Sequence, residues 1–278
     1  MKLFALVALV MTAFAANSVL NRVAVAGGTD PVAFGAVRLL SGALLLALLA
    51  RGRMGSAVRR PGRAASVAWL LVYIFGFSLA YRGLDTGLGA LILFGCVQLT
   101  MFAAALLSRE AVPATRWAGA GIALTGLVVL LWPGAAMQVG PGFAALMAGA
   151  GVGWGLYSLS GRKEADALAG TAVNFALAAP VGLAGWLLVG STLPDATGIA
   201  CAVASGAIAS GLGYALWYVV LPRLAATTAA VAQLSVPIIA AAGGALILAE
   251  GVTLRFALAT LLVLGGIAVS LRRPGRGG

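Results

Sequence analysis

The feature that most constrains this chain is a series of apolar stretches, each about as long as a helix that crosses a lipid bilayer. Such a helix needs about 20 apolar residues, and this chain of 278 residues is 62% hydrophobic and only 9% charged. About a quarter of the residues of a soluble domain are charged, so water could not cover so apolar a surface. The stretches lack the alternation that barrel strands need, and we therefore predict an all-α integral membrane protein.

Ten stretches are long enough to span a bilayer, and their boundaries carry turn and charge signals such as Gly27–Pro31 and Trp132–Gly134. The first stretch imitates a cleavable signal peptide, but it stays apolar as far as Val25, and we predict that it is retained as a helix. The predicted spans are 3–25, 31–50, 65–82, 88–107, 114–132, 140–161, 169–190, 197–220, 226–249 and 252–271.

Basic residues indicate the orientation of the predicted bundle. If the N-terminus is cytoplasmic, most arginines and lysines fall at the inner ends of the spans, as in the connection Arg51–Arg63. The outer ends hold only Arg22, Arg82 and Arg255. We therefore predict a multi-pass protein of the cytoplasmic (inner) membrane, with both termini in the cytoplasm.

The residue types also exclude several kinds of function. The chain has no histidine, which excludes His-based metal sites, catalytic triads and proton shuttles. Cys96 and Cys201 lie inside predicted spans, where we expect them to be small apolar helix residues. The basic residues are dispersed between apolar stretches rather than gathered on one face, which argues against nucleic-acid binding. We predict no metal, no cofactor and no enzymatic activity, because the spans offer no convergent catalytic base.

A shift of 140 residues, without a gap, aligns the two halves of the chain. Each half, 1–135 and 136–278, then holds five predicted spans, and this odd number gives the halves opposite orientations in the membrane. Inverted repeats of this kind support alternating access, although duplication without transport is the alternative. The pairs that chance would rarely produce are Glu110 with Glu250, Arg22 with Arg162, Ser18 with Ser158 and Gly126 with Gly266.

Several stretches resemble EamA-type transporters of the drug/metabolite transporter superfamily. The most telling are Ser210–Tyr218, Arg223–Thr228, Gln233–Pro237, Gly243–Glu250 and the pair Gly265 and Gly266. The resemblance covers essentially the whole chain. It implies ten transmembrane helices in two inverted five-helix repeats, a central cavity lined by helices 1–4 and 6–9, peripheral helices 5 and 10, and export of small metabolites.

The chain departs from the family pattern in two places. Family members often carry an aromatic residue followed by glycine in helix 1, whereas this chain has Phe14 followed by Ala15. Val97 stands where the first half would match Pro237. These departures leave the expected fold intact and weaken any transfer of a family substrate.

Arg38 is the basic residue that lies well inside a predicted span. A charge at the centre of a membrane helix costs about 2.5–3.5 kcal/mol on insertion scales. The side chain therefore either snorkels or pairs with helix-end carbonyls, or it anchors a carboxylate or phosphate of a substrate. Asn17 and Asn21 lie one turn apart in helix 1 at a similar depth. They either join Arg38 in a polar substrate site or make interhelical hydrogen bonds.

Other polar and aromatic residues are candidates for the cavity lining. Gln98 and Gln233 fall near the middle of helices 4 and 9, where an unpaired amide is costly and must face protein or water. Aromatic side chains offer ring faces with polar tips, although packing or interfacial anchoring is the alternative. The aromatic candidates are Tyr73, Trp154, Tyr157, Tyr214 and Trp217.

Two residues are candidates for gating. Pro237 inside helix 9 removes a backbone hydrogen bond, which produces either a bend used in gating or a static kink. Gly153 belongs to an alternating series of glycines in helix 6, which predicts either tight packing or a sliding surface. All seven acidic residues fall in loops or at span ends, so no obvious proton-coupling carboxylate lies in the membrane.

We predict a secondary active or facilitative transporter that exports a small metabolite by alternating access, with an amino acid or related compound as the leading substrate. Efflux of an aromatic drug-like or vitamin-like compound is the alternative within this class. A non-transporting membrane scaffold or sensor is the alternative outside it. The expected partners are a small-molecule substrate and the lipid bilayer. The identity of the substrate, the coupling ion, the direction of transport and the oligomeric state stay open.

Overall fold

The computed structural model describes residues 2–109, 112–132, 140–161, 164–220, 223, 232–233 and 235–270. The described part of the chain is helical, and it contains no strand. Glu110 and Arg162, which anchor two pairs of the predicted repeat, lie outside the described residues.

The helices follow one another along the chain with short connections. Their bounds are α1 Lys2–Ala26, α2 Pro31–Leu49, α3 Met54–Val58, α4 Arg63–Ala80, α5 Thr86–Leu107, α6 Ala114–Leu131, α7 Pro141–Gly161, α8 Ala167–Val189, α9 Ala196–Val203, a π-helix Ala204–Leu212, α10 Gly213–Val220, α11 Ser235–Leu248 and α12 Leu254–Ser270.

Eight helical stretches of the described residues have the length and apolar character of membrane spans, the last being the continuous run Ala196–Trp217. Two shorter apolar helices, α11 and α12, follow them. Large apolar side chains project from the outside of the bundle; for example, Leu188 is 88% exposed. Such an apolar outer surface suits lipid rather than water, and the prediction of a multi-pass helical membrane protein is confirmed.

Acidic side chains at the helix starts explain where several helices begin. Asp30 accepts hydrogen bonds from the backbone N–H groups of Val32 and Ala33, with Pro31 at the first helical position of α2. Asp166 caps α8 and Asp195 caps α9 in the same way. These carboxylates stabilise the exposed N–H groups of helix ends, and they lie outside the apolar spans.

Glycines allow the closest helix contacts. Gly119 on α6 and Gly266 on α12 bring the two backbones together, and a side chain at either position would meet the opposite backbone. Gly153 on α7 plays the same part against α4, because a Cβ there would lie 2.9 Å from the Trp69 carbonyl oxygen and 3.0 Å from the Tyr73 nitrogen. Small residues at such positions are how membrane helices gain packing energy without a hydrophobic drive.

The predicted span 197–220 differs from a plain α-helix. Its middle, Ala204–Leu212, forms a π-helix between α9 and α10. π-helical turns are rare and occur frequently at functional sites. At Gly206 the π-helix meets the backbone of α2, against the Arg38 carbonyl oxygen.

Candidate functional site

Arg38 lies in the middle of the bundle with its side chain fully buried. Its Nη2 donates to the Tyr73 hydroxyl at 3.0 Å and to Ser210 Oγ at 3.3 Å. Its guanidinium carbon is 5.2 Å from the centre of the Tyr73 ring and 5.4 Å from that of Phe77, so the ring faces stabilise the cation. Its Nε and Nη1 have no hydrogen-bond partner among the described residues. Arg38 is therefore a buried cation with hydrogen-bond donors that no described residue accepts from.

Asn17 joins this network from α1. Its Oδ1 accepts hydrogen bonds from Ser205 Oγ at 2.7 Å and from Ser210 Oγ at 3.5 Å. One turn along α1, Asn21 donates from Nδ2 to Ser78 Oγ at 2.8 Å, while its buried Oδ1 has no partner among the described residues. We call Arg38, Asn17, Tyr73, Ser205 and Ser210 the Arg38 cluster. Sequence reasoning found its first three members and missed both serines.

The predicted aromatic residues form a connected set beside this cluster. The Trp154 ring lies 4.8 Å from Tyr73, 5.7 Å from Tyr157 and 5.4 Å from Tyr214, with which it is stacked. The remaining member, Trp217, joins through Phe14, whose ring is 6.1 Å from Trp217 and 5.8 Å from Tyr214. We call these rings the aromatic ladder.

The other predicted residues lie apart from the contacts that define the Arg38 cluster. Gln98 on α5 and Gln233, which precedes α11, are partly buried. Pro237 is buried in α11, two residues after Ser235. Gly153 brings α7 against the backbone of Tyr73. Gly153 thereby allows α7 to pack closely against the helix that carries Tyr73, one ring of the aromatic ladder.

A second buried polar group lies at one end of the bundle. Arg63 and Glu164 form an ion pair at 2.7 Å with both side chains only 6% exposed, and Arg60 reaches the same carboxylate at 2.7 Å. Arg63 Nη1 also donates to Asn174 Oδ1 at 2.9 Å, and Asn174 Nδ2 donates to the Tyr157 hydroxyl at 3.3 Å. We call Arg60, Arg63, Glu164 and Asn174 the Arg63 cluster. Through Tyr157 it touches the aromatic ladder.

The opposite end carries its own charged group. Arg22 Nε lies 3.3 Å from Glu250 Oε1, and its Nη1 donates to the Tyr81 carbonyl oxygen at 2.9 Å. Glu250 also accepts from the backbone N–H of Thr86 at 2.8 Å and from its hydroxyl at 3.0 Å. We call Arg22, Thr86 and Glu250 the Arg22 cluster. Sequence reasoning used Arg22 and Glu250 as span-end charges and as markers of the repeat, and it did not predict that they meet.

A small groove opens beside the Arg22 cluster. Asp85, Leu88, Glu250 and Phe256 are among its lining residues. The groove lies at the end of the bundle rather than at Arg38, whose side chain is enclosed. Among the described residues, no group of three or more histidine, cysteine or acidic side chains is placed to hold a metal ion.

A bundle of membrane-length helices with polar side chains gathered inside it has the architecture of a multi-pass membrane transporter. A model of the EamA-like transporter family matches residues 143–272. An uncharacterized protein of Pseudomonas aeruginosa is 47% identical over 270 residues, which cover 96% of this chain and 93% of that protein. The chain belongs to the EamA-like transporter family, a family of transporters rather than enzymes.

A solved crystal structure, described only as that of a protein, shares the fold. It superposes with a TM-score of 0.64 at 23% sequence identity, covering 95% of this chain and 97% of that chain. At this identity the likeness shows the fold alone. The membership of the family implies a small-molecule substrate and a lipid bilayer as the partners of this protein.

Proposed function

We propose that this protein is a secondary transporter that exports an amino acid or a related small metabolite from the cytoplasm by alternating access, with the Arg38 cluster as its substrate site. The observation that carries the proposal is the fully buried Arg38, whose Nε and Nη1 have no partner among the described residues. Leaving such donors unpaired in a membrane protein is costly. A substrate carboxylate is the group that a guanidinium binds best, because it accepts two parallel hydrogen bonds.

The unpaired acceptor Asn21 Oδ1 supports an amino acid as the substrate. Asn21 lies one turn beyond Asn17 on α1, and its partner Ser78 lies five residues beyond Tyr73 on α4. At 1.5 Å per residue these spacings separate Asn21 from the Arg38 contacts by about 6–8 Å. A short zwitterion with a hydrogen bond of about 2.9 Å at each end suits this axial separation once the lateral spacing between the helices is added. The carboxylate then pairs with Arg38 and the ammonium group donates to Asn21.

The aromatic ladder favours a second candidate, efflux of an aromatic drug-like or vitamin-like compound. Trp154 stacks on Tyr214 and also touches Tyr73 and Tyr157. A planar ring would gain stacking energy there. In either case we assign substrate binding to the Arg38 cluster, Asn21, the ladder, Gln98 and Gln233, and gating to Pro237 and Gly153.

Helix boundaries support two inverted five-helix repeats, residues 1–135 and 136–278. Two helix boundaries in the first half have a counterpart 140 residues later. The ends of α2 and α8 are Leu49 and Val189, and the starts of α6 and α12 are Ala114 and Leu254.

Helix contacts support the same arrangement. The helix α1 packs along the segment from α9 to α10, and its counterpart in the second half, α7, packs along α4. The pairs α2 with α8, α5 with α11 and α6 with α12 are also in contact. The distribution of basic residues further supports an inner-membrane location with both termini in the cytoplasm.

Purified protein in liposomes tests the proposal. Vesicles loaded with labelled amino acids or labelled aromatic carboxylic acids are diluted into buffer that contains the same compound unlabelled, and protein-free vesicles are treated in the same way. We expect labelled amino acids to leave faster than they leave the protein-free vesicles. The Ser210→Ala variant removes a hydroxyl that contacts Arg38 and Asn17. It should raise KM about tenfold, since a hydrogen bond to a charged group is worth about 1.5–3 kcal/mol.

The matched control is Ser270→Ala on α12, whose hydroxyl donates to the Ile267 carbonyl oxygen of its own helix. Its KM should equal that of the unmodified protein. Faster efflux of aromatic acids than of any amino acid would establish the second candidate. Efflux no faster than from protein-free vesicles for both classes would contradict the proposal.

A further inference from the structure

We propose that this transporter works by strict exchange, crossing the membrane readily only when an anionic group occupies Arg38 on both legs of the cycle. The inference rests on the proposed function and extends it from which compound is bound to how transport is driven.

The first step concerns the charge. An arginine guanidinium stays charged at every physiological pH, and Arg38 is fully buried. No carboxylate of the described residues forms an ion pair with it, and two of its nitrogen atoms have no partner there. The ring faces of Tyr73 and Phe77 and two neutral hydroxyls supply the compensation. That compensation is weaker than pairing with an anion.

The second step concerns where these contacts lie. Arg38 and Tyr73 belong to the first half of the chain, whereas Ser210 belongs to the second. Alternating access changes the packing of one half against the other, and the contact between Arg38 and Ser210 crosses the boundary between the halves. A carboxylate held by Arg38 moves with the guanidinium and keeps its charge compensated throughout. An empty carrier crosses with a less compensated cation, which raises the barrier.

The third step concerns the driving force. The described acidic residues all lie outside the helices: Asp30, Asp85, Glu164, Asp166, Asp195 and Glu250. A proton-coupled carrier usually holds a titratable group within the membrane. The site holds a fixed cation, and the described carboxylates lie at helix ends. The site therefore favours transport driven by the gradient of a second anionic or zwitterionic solute that binds Arg38 in turn.

The test compares exchange with net efflux in liposomes. Vesicles are loaded with the labelled amino acid that the unmodified protein moves fastest, and they are diluted into buffer with or without the same unlabelled amino acid. We expect label to leave at least about tenfold faster with the amino acid outside, because a buried charge adds more than one tenfold step to the barrier of the empty carrier.

Two variants of Arg38 separate charge from folding. In Arg38→Gln the cation is gone, so the ratio of the two rates should fall towards one even though the affinity is lower. In Arg38→Lys the cation remains, so the ratio should persist while the affinity falls, because lysine lacks the planar donor pair. Arg82→Gln is the control, since Arg82 is 52% exposed and pairs with Asp30 at a helix end. Its ratio should match that of the unmodified protein.

The outcomes are distinguishable. Equal rates with and without external amino acid in the unmodified protein overturn strict exchange and leave the proposed function standing. A ratio in Arg38→Gln as high as in the unmodified protein also overturns it, because the charge is then not the cause. If no amino acid moves under either condition, the proposed function fails and the exchange inference fails with it.

Discussion

At each end of the bundle, an arginine from the first half forms an ion pair with a glutamate from the second half. The two ion pairs differ in how deeply they are buried. Arg63 and Glu164 are both 6% exposed, whereas Arg22 is 21% exposed and Glu250 11% exposed. Removing water strengthens an ion pair and raises the cost of losing one partner. The Arg63 end is therefore the more tightly closed.

The two clusters also differ in what they touch. The Arg63 cluster reaches the aromatic ladder through Asn174 and Tyr157, side chain to side chain. The Arg22 cluster reaches backbone groups, the Tyr81 carbonyl oxygen and the Thr86 N–H. A change in the ladder can consequently reach Arg63 directly, while the Arg22 end responds to movement of whole helices. Three experiments test this difference between the two ends.

The largest effect should come from Arg63→Gln. Among the described residues, the substitution leaves Glu164 paired with Arg60 alone, and it removes the hydrogen bond to Asn174. Breaking a buried ion pair costs about 3–5 kcal/mol, and the remaining Arg60 places the expected loss at the lower end, about 3 kcal/mol of unfolding free energy. Thermal unfolding in detergent measures it as a lower Tm.

Arg53→Gln is the matched control for this variant. Arg53 pairs with Asp166 at 3.4 Å, but it is 52% exposed, and an exposed pair is worth about 0–1 kcal/mol. Equal Tm values for the two variants would show that the depth of the Arg63 cluster has no energetic consequence.

A smaller effect is expected on access to the interior. In a protein with Cys96→Ala and Cys201→Ala, a reporter is introduced by Ser78→Cys, at a buried position between the Arg38 and Arg22 clusters. Glu250→Gln should raise its labelling by an aqueous maleimide about fivefold, because the lost pair is worth about 1 kcal/mol. Arg63→Gln in the same background should not raise it, since that cluster closes the other end. The reverse order would contradict the assignment of the two ends.

The smallest effect is a coupling. Asn174→Ala and Arg63→Gln share a hydrogen bond, so their losses of stability should fail to add by about 0.5–1 kcal/mol. Asn174→Ala and Glu250→Gln lie in different clusters and should add. Denaturant or thermal unfolding of the single and double variants gives both values. If the losses of stability add in both pairs, the Arg63 cluster is not energetically coupled to the aromatic ladder through Asn174.

Most of the fold could be predicted from the sequence because lipid sets the length of a span and turn residues set its ends. The predicted start of span five at 114 and that of span two at 31 coincide with the observed helices, and 169–190 differs from Ala167–Val189 by two residues at most. The π-helix was not predicted, because apolar length and composition carry no information on whether a turn is α or π.

Site residues could be predicted where the side chain is energetically unfavourable in lipid. They could not be predicted where its insertion costs little free energy. Arg38 and Asn17 stand out inside apolar spans, whereas Ser205 and Ser210 do not. On an α-helix these serines, five residues apart, would point about 140° away from each other, yet in the π-helix both contact Asn17. The five-residue recurrence of Ser-Gly, at 205–206 and at 210–211, is the signal that could have indicated this.

Arg63 and Glu164 were missed for another reason. Each stands at a predicted span end, where a single charge is expected for orientation, and they are separated by 101 residues in the chain. Only the tertiary fold shows that they meet. Long-range pairing of span-end charges is thus the part of this molecule that a single sequence conceals.

The contact of Gly206 with the Arg38 carbonyl oxygen has a mechanical consequence. Two backbones that touch without side chains between them form a fulcrum, about which the helices tilt rather than slide. The α2 arms on either side of Arg38 are about 10 Å and 16 Å long at 1.5 Å per residue. A tilt of about ten degrees then displaces their tips by about 2–3 Å, comparable with the length of a hydrogen bond. A small rotation about Arg38 would thus be enough to break a hydrogen bond at either end of α2.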